Sequence, residues 1–290
     1  MTEARLYLGV DGGGTRCRAR IRDDAGSLLG EGEAGSANAR RGARATMGAI
    51  VAASRAALAI AGLPMTALGS LHAGAGLAGV CQPADMAAMA AEPHPFRSLR
   101  LTTDFTTACL GAHEGRDGGV VIAGTGSVAY GRLRGREWRF GGWGFEASDD
   151  GGGAALGRAI VRHALKAADG MAPRGTLSES ALLALGGDQE AAVSWCGRAS
   201  PADYGRLAPL AFEHAAADAE AARLRDEAAA EIGALVMRLL ELGVDRVALV
   251  GGLAAPLASH LPEQACAALV EPASDAADGA IALARLGDAA

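Results

Sequence analysis

The sequence predicts an α/β protein built from two halves that open alike. Three observations carry that expectation. Each half begins with an apolar strand that enters a glycine turn and returns through further strands: LYLGVDGGGTRCRARIR in the first, VVIAGTGSVAYGRL in the second. Along the rest of the chain, stretches of period two alternate with stretches of helical period. With 290 residues, 50% of them hydrophobic and 21% charged, the chain can bury one large or two medium cores.

Leu6, Leu8 and Val10 alternate up to Asp11, Cys17, Ala19 and Ile21 alternate after the turn, and LLGEGEA follows a DDAGS turn, which predicts three antiparallel strands. Arg16, Arg18, Arg20 and Arg22 interleave with the apolar residues and read as one solvated strand face. Met47, Ile50, Val51, Ala57, Leu58 and Ala61 recur at helical spacing, and Gly62 with Pro64 stops that helix. A strand (ALGSLHAGAG), a helix opening near Pro83, a strand (SLRLTTD) and a helix (TTACLGAHEG) complete a β-β-β-α-β-α-β-α order. The second half repeats the opening with GGVVIAG, VAYGRL and WRFGG. Helices then dominate, with a long one over 220–242, before the strand VALVGG and a closing helix GAIALARLG.

Composition excludes several classes. A net charge of −6 argues against a broad nucleic-acid surface, which needs a basic face. Lys166 is the only lysine among 27 basic residues and lies in an amphipathic stretch, so a Walker A loop, a β3-lysine kinase and Schiff-base chemistry each lack their key residue. The five cysteines, Cys17, Cys81, Cys109, Cys196 and Cys266, are scattered with no CxxC pair, and the histidines show no metal-ligand spacing. MTEARLYLGV is unlike a secretory leader and no apolar run reaches the roughly 20 residues of a membrane span. The cytoplasm is the expected compartment, with no membrane and no nucleic-acid partner.

Two glycine motifs, GAGLAG at 74–79 and GTGSVA at 124–129, fit a dinucleotide fingerprint. The context argues against it: Val80, Cys81 and Gln82 separate the first from its helix, and the second runs into a hairpin. The pair of turns DGGGT and GTGS suits a triphosphate better. Tight glycine turns present backbone N–H groups, Thr15, Thr125 and Ser127 add neutral donors, and Asp11 can act through magnesium. A plain hairpin is the alternative for each turn taken singly. Asp104 ends an apolar strand just before a helix, where open α/β sheets place ligands, or else it is that helix's N-cap. Asp149 and Asp150 could likewise cap the helix GGGAALGRAIVRHALK.

These motifs together resemble those of the sugar kinase, heat-shock chaperone and actin superfamily, and within it the N-acetylglucosamine kinase and bacterial glucosamine kinase group. LGVDGGGTRCRA resembles the first phosphate loop, VIAGTGSVAYG the second, and VALVGGLA the adenosine-side glycine pair. GSANAR resembles the sugar-contact segment, LTTDFTTACLGAH the segment with the catalytic aspartate, and GGWGFEASDDGG the GGWG motif with its downstream acid. The resemblance implies two ribonuclease H-like domains with an ATP cleft between them: 1–114, joined by a C-terminal helix 275–290, and 115–274 with helical insertions. It implies ATP and magnesium as cofactors and transfer of the γ-phosphoryl to the 6-hydroxyl of glucosamine or N-acetylglucosamine.

Carried over by residue, the resemblance implies Asp104 as the general base and Asp11 at the metal. Gly12, Gly13, Gly14, Thr15, Gly124, Thr125, Gly126 and Ser127 would bind phosphate, and Gly251 and Gly252 would flank the adenine. Asn38, Gly76, Thr103, Asp104, Gly144 and Asp149 would contact the sugar. Two departures stand out. The group continues GGWG with Asp-Glu-Gly-Ser, where this chain reads Asp149, Asp150, Gly151 and Gly152. Animal relatives carry tryptophan where this chain has Ala39, which makes a free 2-amino group a candidate substrate feature. Competing expectations are an ATP-driven activator of a dehydratase or reductase, which needs closely placed cysteines for a cluster, another hexose kinase of the same superfamily, and a sugar-sensing regulator. A homodimer is a further expectation on which the sequence is silent.

Overall fold

The computed structural model describes residues 5–80 and 82–286; Cys81 and residues 287–290 of the expected closing helix lie outside the described residues. In chain order the elements are β1 Leu6–Gly12, β2 Arg16–Asp23, β3 Leu28–Gly35, α1 Ala43–Ile60, β4 Leu71–Leu77, α2 Pro83–Ala90, β5 Ser98–Thr103 and α3 Asp104–Ala112. There follow β6 Gly118–Ala123, β7 Ser127–Leu133, β8 Arg136–Gly141, α4 Gly153–Ala168, α5 Thr176–Ala184, α6 Gln189–Cys196, α7 Pro201–Gly205, α8 Pro209–His214 and α9 Ala219–Leu240. The chain ends with β9 Val247–Val250, α10 Ala254–Ala258, α11 Glu263–Ala267 and α12 Ala276–Arg285. Two compact units are cut after Val120 and after Val270, the first regaining the chain at Glu271.

In the first unit the sheet order is β3-β2-β1-β4-β5. β1, β2 and β3 are antiparallel, while β1, β4 and β5 run parallel, as crossovers through α1 and α2 require. Leu8, Val10, Cys17, Ala19 and Ile21 form a core with Met47, Ile50, Ala57 and Leu58 of α1. α1 has the length and apolarity of a membrane span, and this packing accounts for its buried stripe. The opposite sheet face carries Gly9 and Gly74. A Cβ at either would fall 2.0 Å from the carbonyl oxygen of Ala277 or Ala280, so α12 lies directly against the strands.

That helix overturns the solvated-arginine expectation. Arg18 reaches Asp11 at 2.8 Å and Asp275 at 3.4 Å, Arg20 reaches Asp275 at 2.7 Å and Asp278 at 2.9 Å, and Arg22 reaches Asp278 at 2.7 Å. The cause is tertiary: the acidic first turn of α12 is laid over the face from which these side chains emerge, and only Arg16 stays largely in water. Burial pushes the Asp278 carboxyl up, but the hydrogen bond from Arg22 and the charges of Arg20 and Arg22 outweigh it and hold its pKa below the ordinary value.

The second unit has sheet order β8-β7-β6-β9 and a core formed by Val121, Ala123, Leu156, Ile160, Leu177, Ile232, Val236, Leu239 and Leu257, among others. Asp218 caps α9 by accepting from Glu220 N at 3.0 Å and Ala221 N at 3.3 Å, and it also accepts from Leu177 N at 2.9 Å, so one carboxylate ties α5 to α9. Both dinucleotide-like motifs fall outside strand–turn–helix context. Gly74 and Gly76 lie inside β4, and Ser127 opens β7.

Candidate active site

In the first unit the expected residues gather at the carboxyl ends of three adjacent parallel strands. Asp11 of β1 is in register with Gly76 of β4, and Leu77 of β4 with Thr103 of β5. This is the edge at which open α/β sheets bind ligands. Asp104 is the first residue of α3, and the N-cap is Thr103, with extended backbone (φ −82°, ψ 156°). The capping alternative for Asp104 is therefore corrected: a residue with helical backbone in the first turn gains from the helix dipole instead. Its Oδ1 accepts from Phe105 N at 2.9 Å, Thr107 Oγ1 donates to its carbonyl at 3.0 Å, and the Thr103 and Thr106 hydroxyls are 2.7 Å apart. These contacts fix the start of α3 with the carboxylate at its N-terminus.

The first glycine turn closes with Gly13 N donating to Arg16 O at 3.0 Å. Ala78 N donates to Gly12 O at 2.8 Å and Ala37 N to Gly13 O at 3.3 Å, so the loop after β4 and the segment before Asn38 hold its base. Among the described residues the N–H groups of Gly14 and Thr15 donate to no backbone carbonyl, and both residues are exposed. Asn38 caps a short 3-10 turn, Ala39–Arg41, its Oδ1 accepting from Arg40 N at 3.0 Å.

Sequence reasoning missed Arg18. It stands directly across the hairpin from Asp11 in the β1–β2 register, and its Nε and Nη2 both donate to Asp11 Oδ2, at 3.3 Å and 2.8 Å. Counting back from the Gly12–Cys17 pair would have found this neighbour. The donor set fits magnesium in one way only. Among the described residues no three His, Cys, Asp or Glu side chains converge, which excludes a protein cage, but one carboxylate joined by phosphate oxygens and water is a normal magnesium site. Arg18 occupies Oδ2, so Oδ1 of Asp11 is the oxygen suited to the ion.

In the second unit Gly124 N donates to Gly126 O at 2.9 Å, closing the second turn. The opening of α4 supports it from behind: Gly153 N donates to Gly124 O at 2.8 Å and Ala154 N to Thr125 O at 2.9 Å. Ser127 Oγ donates to Asp150 O at 2.7 Å, so this hydroxyl has a structural partner. Gly251, at φ +104°, lies so close that a Cβ would fall 2.4 Å from Ala123 O, and Leu253 N donates to the same oxygen at 2.9 Å. Gly252 has no such neighbour and borders open space.

The N-cap of α4 is Gly152, so neither Asp149 nor Asp150 caps that helix. Asp149 instead adopts φ +67° and accepts from Gly144 N at 3.3 Å. A Cβ on Gly126 would come within 2.3 Å of its Oδ2, which sets this carboxylate against the glycine turn. Aspartate tolerates this left-handed backbone, which Glu114 and Arg134 also adopt among the described non-glycine residues. The segment before it is anchored by two unpredicted arginines: Arg139 stacks 4.2 Å from the Trp143 ring and Arg158 4.5 Å from that of Phe145.

The fold is shared with an ROK family glucokinase from Streptomyces griseus, solved with glucose and AMPPNP, at TM-score 0.61 and 18% identity over 97% of this chain and all of that one. The chain belongs to the BadF/BadG/BcrA/BcrD ATPase family, whose profile matches residues 8–284. It is 37% identical to the glucosamine kinase GspK of Vibrio cholerae across 95% of this chain and 94% of that protein. A solved Chromobacterium violaceum protein, proposed to be an N-acetylglucosamine kinase, superimposes at TM-score 0.92 with 35% identity, covering 97% of this chain and 99% of its own.

Proposed function

We propose that the protein is an ATP-dependent amino-sugar kinase that phosphorylates the 6-hydroxyl of glucosamine or N-acetylglucosamine. The observation that carries the reading is Asp104: a carboxylate at a strand end, oriented by its own helix, in a chain whose full-length relative is a glucosamine kinase. Asp104 takes the proton from the attacking hydroxyl as its oxygen bonds to the γ-phosphorus. The bond from that phosphorus to the bridging oxygen breaks, and ADP leaves. Thr103 ends the strand beside it, Gly76 lies buried at the end of β4 against Thr107 of α3 and lets that helix approach, and Asn38, Gly144 and Asp149 hydrogen-bond sugar hydroxyls.

The phosphates are held by backbone N–H groups of the two turns, Gly14 and Thr15 in the first and Thr125 and Gly126 in the second, since Gly13 N and Gly124 N close their own turns; this explains how the chain manages without a placed lysine. Gly251 and Gly252 border the adenine. Asp11 would hold magnesium, which supplies neutralisation of phosphate charge when bound. Ala39, beside Asn38, stands where animal relatives carry tryptophan, which keeps a free 2-amino group among the candidate substrate features. Cys17 and Cys109 are buried thiols outside any disulfide among the described residues, which fits a reducing cytoplasm. Burial, followed by the Asp11 charge, pushes the Cys17 thiol up to about 12, so it stays protonated.

A coupled ADP-release assay over glucosamine, N-acetylglucosamine, N-acetylmuramate, glucose and no sugar tests the reading. The expected result is turnover that depends on an amino sugar. Equal ADP release without sugar would overturn it.

A further inference from the structure

The motif GAGLAG lies outside the strand–turn–helix context of a dinucleotide site, yet each of its glycines meets a different element at a distance no side chain allows. A Cβ at Gly74 would fall 2.0 Å from Ala280 O of α12, one at Gly76 2.0 Å from Thr107 Oγ1 of α3, and one at Gly79 2.0 Å from Asn38 Oδ1. The first two are helix-packing contacts. The third is different, because what it meets is a half-buried polar side chain rather than a helix.

We infer that Gly79 is a positioning residue for the sugar contact: its bare Cα leaves the space in which the Asn38 carboxamide lies, with Oδ1 turned to Arg40 N and Nδ2 presented as a donor. This rests on Asn38 being a sugar contact. Oδ1 is committed to the cap at 3.0 Å, and the neighbouring backbone is tied down by Ala39 N donating to Ala78 O at 2.9 Å and Thr46 Oγ1 donating to Asn38 O at 3.0 Å. With the main chain held on both sides, a methyl group on Gly79 displaces the carboxamide. Among the described residues Nδ2 meets no protein acceptor, so it is the end left for the ligand. An NH₂ group only donates here, so its partner is an oxygen, a hydroxyl or an acetamido carbonyl, and never an ammonium.

Gly79→Ala carries two effects, because Gly79 also sits at φ +78°. Gly62→Ala is the control, at φ +68° with nothing within 4 Å. With the amino sugar that supports turnover, Gly79→Ala should raise the sugar KM about three- to tenfold, the worth of one hydrogen bond, with ATP KM and kcat within about twofold. Gly62→Ala should lower Tm similarly and leave the sugar KM alone. Combined with Asn38→Ala, Gly79→Ala should add no further loss. A wild-type sugar KM in Gly79→Ala, beside a raised one in Asn38→Ala, overturns the inference. A wild-type KM in Asn38→Ala instead sinks the sugar-contact reading beneath it. Should Gly79→Ala not fold, Asn38→Asp decides: it keeps the cap to Arg40 N but offers only acceptors, so unchanged sugar affinity overturns the donor assignment and a raised KM upholds it.

Discussion

The two glycine turns look interchangeable as sequence and are built on opposite plans. DGGGT is a hairpin tip held at its base by Ala37, Ala78 and the Ser36 hydroxyl, with Gly14 and Thr15 exposed. GTGS is braced along its carbonyl side by the first N–H groups of α4 and backed by Gly251, so its shape is set before any ligand arrives. Charges follow the same division. The first turn begins at Asp11, paired to Arg18 and through it to Asp275, whereas the contacts around the second are largely backbone hydrogen bonds. On the proposed function, phosphate meets a braced backbone at one turn and an exposed tip beside an organised carboxylate at the other, and short glycine motifs do not reveal which.

The largest expected effect is on chemistry rather than on either turn. Asp104→Asn should lower kcat by roughly 10²–10⁴, the usual worth of a positioned proton acceptor. Because Thr103 is the cap, stability should fall only by the lost dipole interaction, about 0.3–1 kcal/mol, with a correspondingly small drop in Tm. An active, well-folded Asp104→Asn enzyme would remove the base assignment.

Gly251→Ala breaks the braced turn, since it adds a Cβ 2.4 Å from Ala123 O at a backbone angle of φ +104°. Denaturant unfolding should show a loss of about 1–3 kcal/mol. Nucleotide affinity should fall with it. Unchanged stability would mean that the turn yields easily and that the contrast between the turns is false.

The charged side can be sharpened by pH. Asp278 has a depressed folded pKa, so its stabilisation is present above the unfolded value of about 3.9 and is lost as pH falls through the lower folded value. Stability measured from pH 7 to pH 2 should decline on that acid arm, and Asp278→Asn should make the decline shallower. An identical profile in the variant would show that the arginine ladder is not coupled to folding. Asp218, whose carboxyl is raised by burial but lowered more by its three backbone donors, should contribute an acid loss of the same sign.

The smallest effect is expected at the pliable turn. A Cβ on Gly14 meets nothing nearer than Asn38 Nδ2 at 3.8 Å, so Gly14→Ala should change stability by under about 0.5 kcal/mol. A loss as large as that of Gly251→Ala would erase the distinction between the turns.

Strands, helices and their order were readable in the sequence, because periodicity and glycine or proline stops are local signals: Leu6, Leu8 and Val10 alternate on β1, and Gly62 with Pro64 ends α1. The strand-end position of Asp104 was readable for the same reason. Its neighbours were not. Whether Arg18, Arg20 and Arg22 face water depended on a helix more than 250 residues away. That Asp149 adopts φ +67° against Gly126, that Thr103 rather than Asp104 caps α3, and that Gly79 makes room for Asn38 are likewise matters of approach distance between segments remote in sequence or of backbone angle. Local pattern determines which residues alternate and where elements stop; which side chains meet is decided only when packed elements bring distant backbone within a few ångströms.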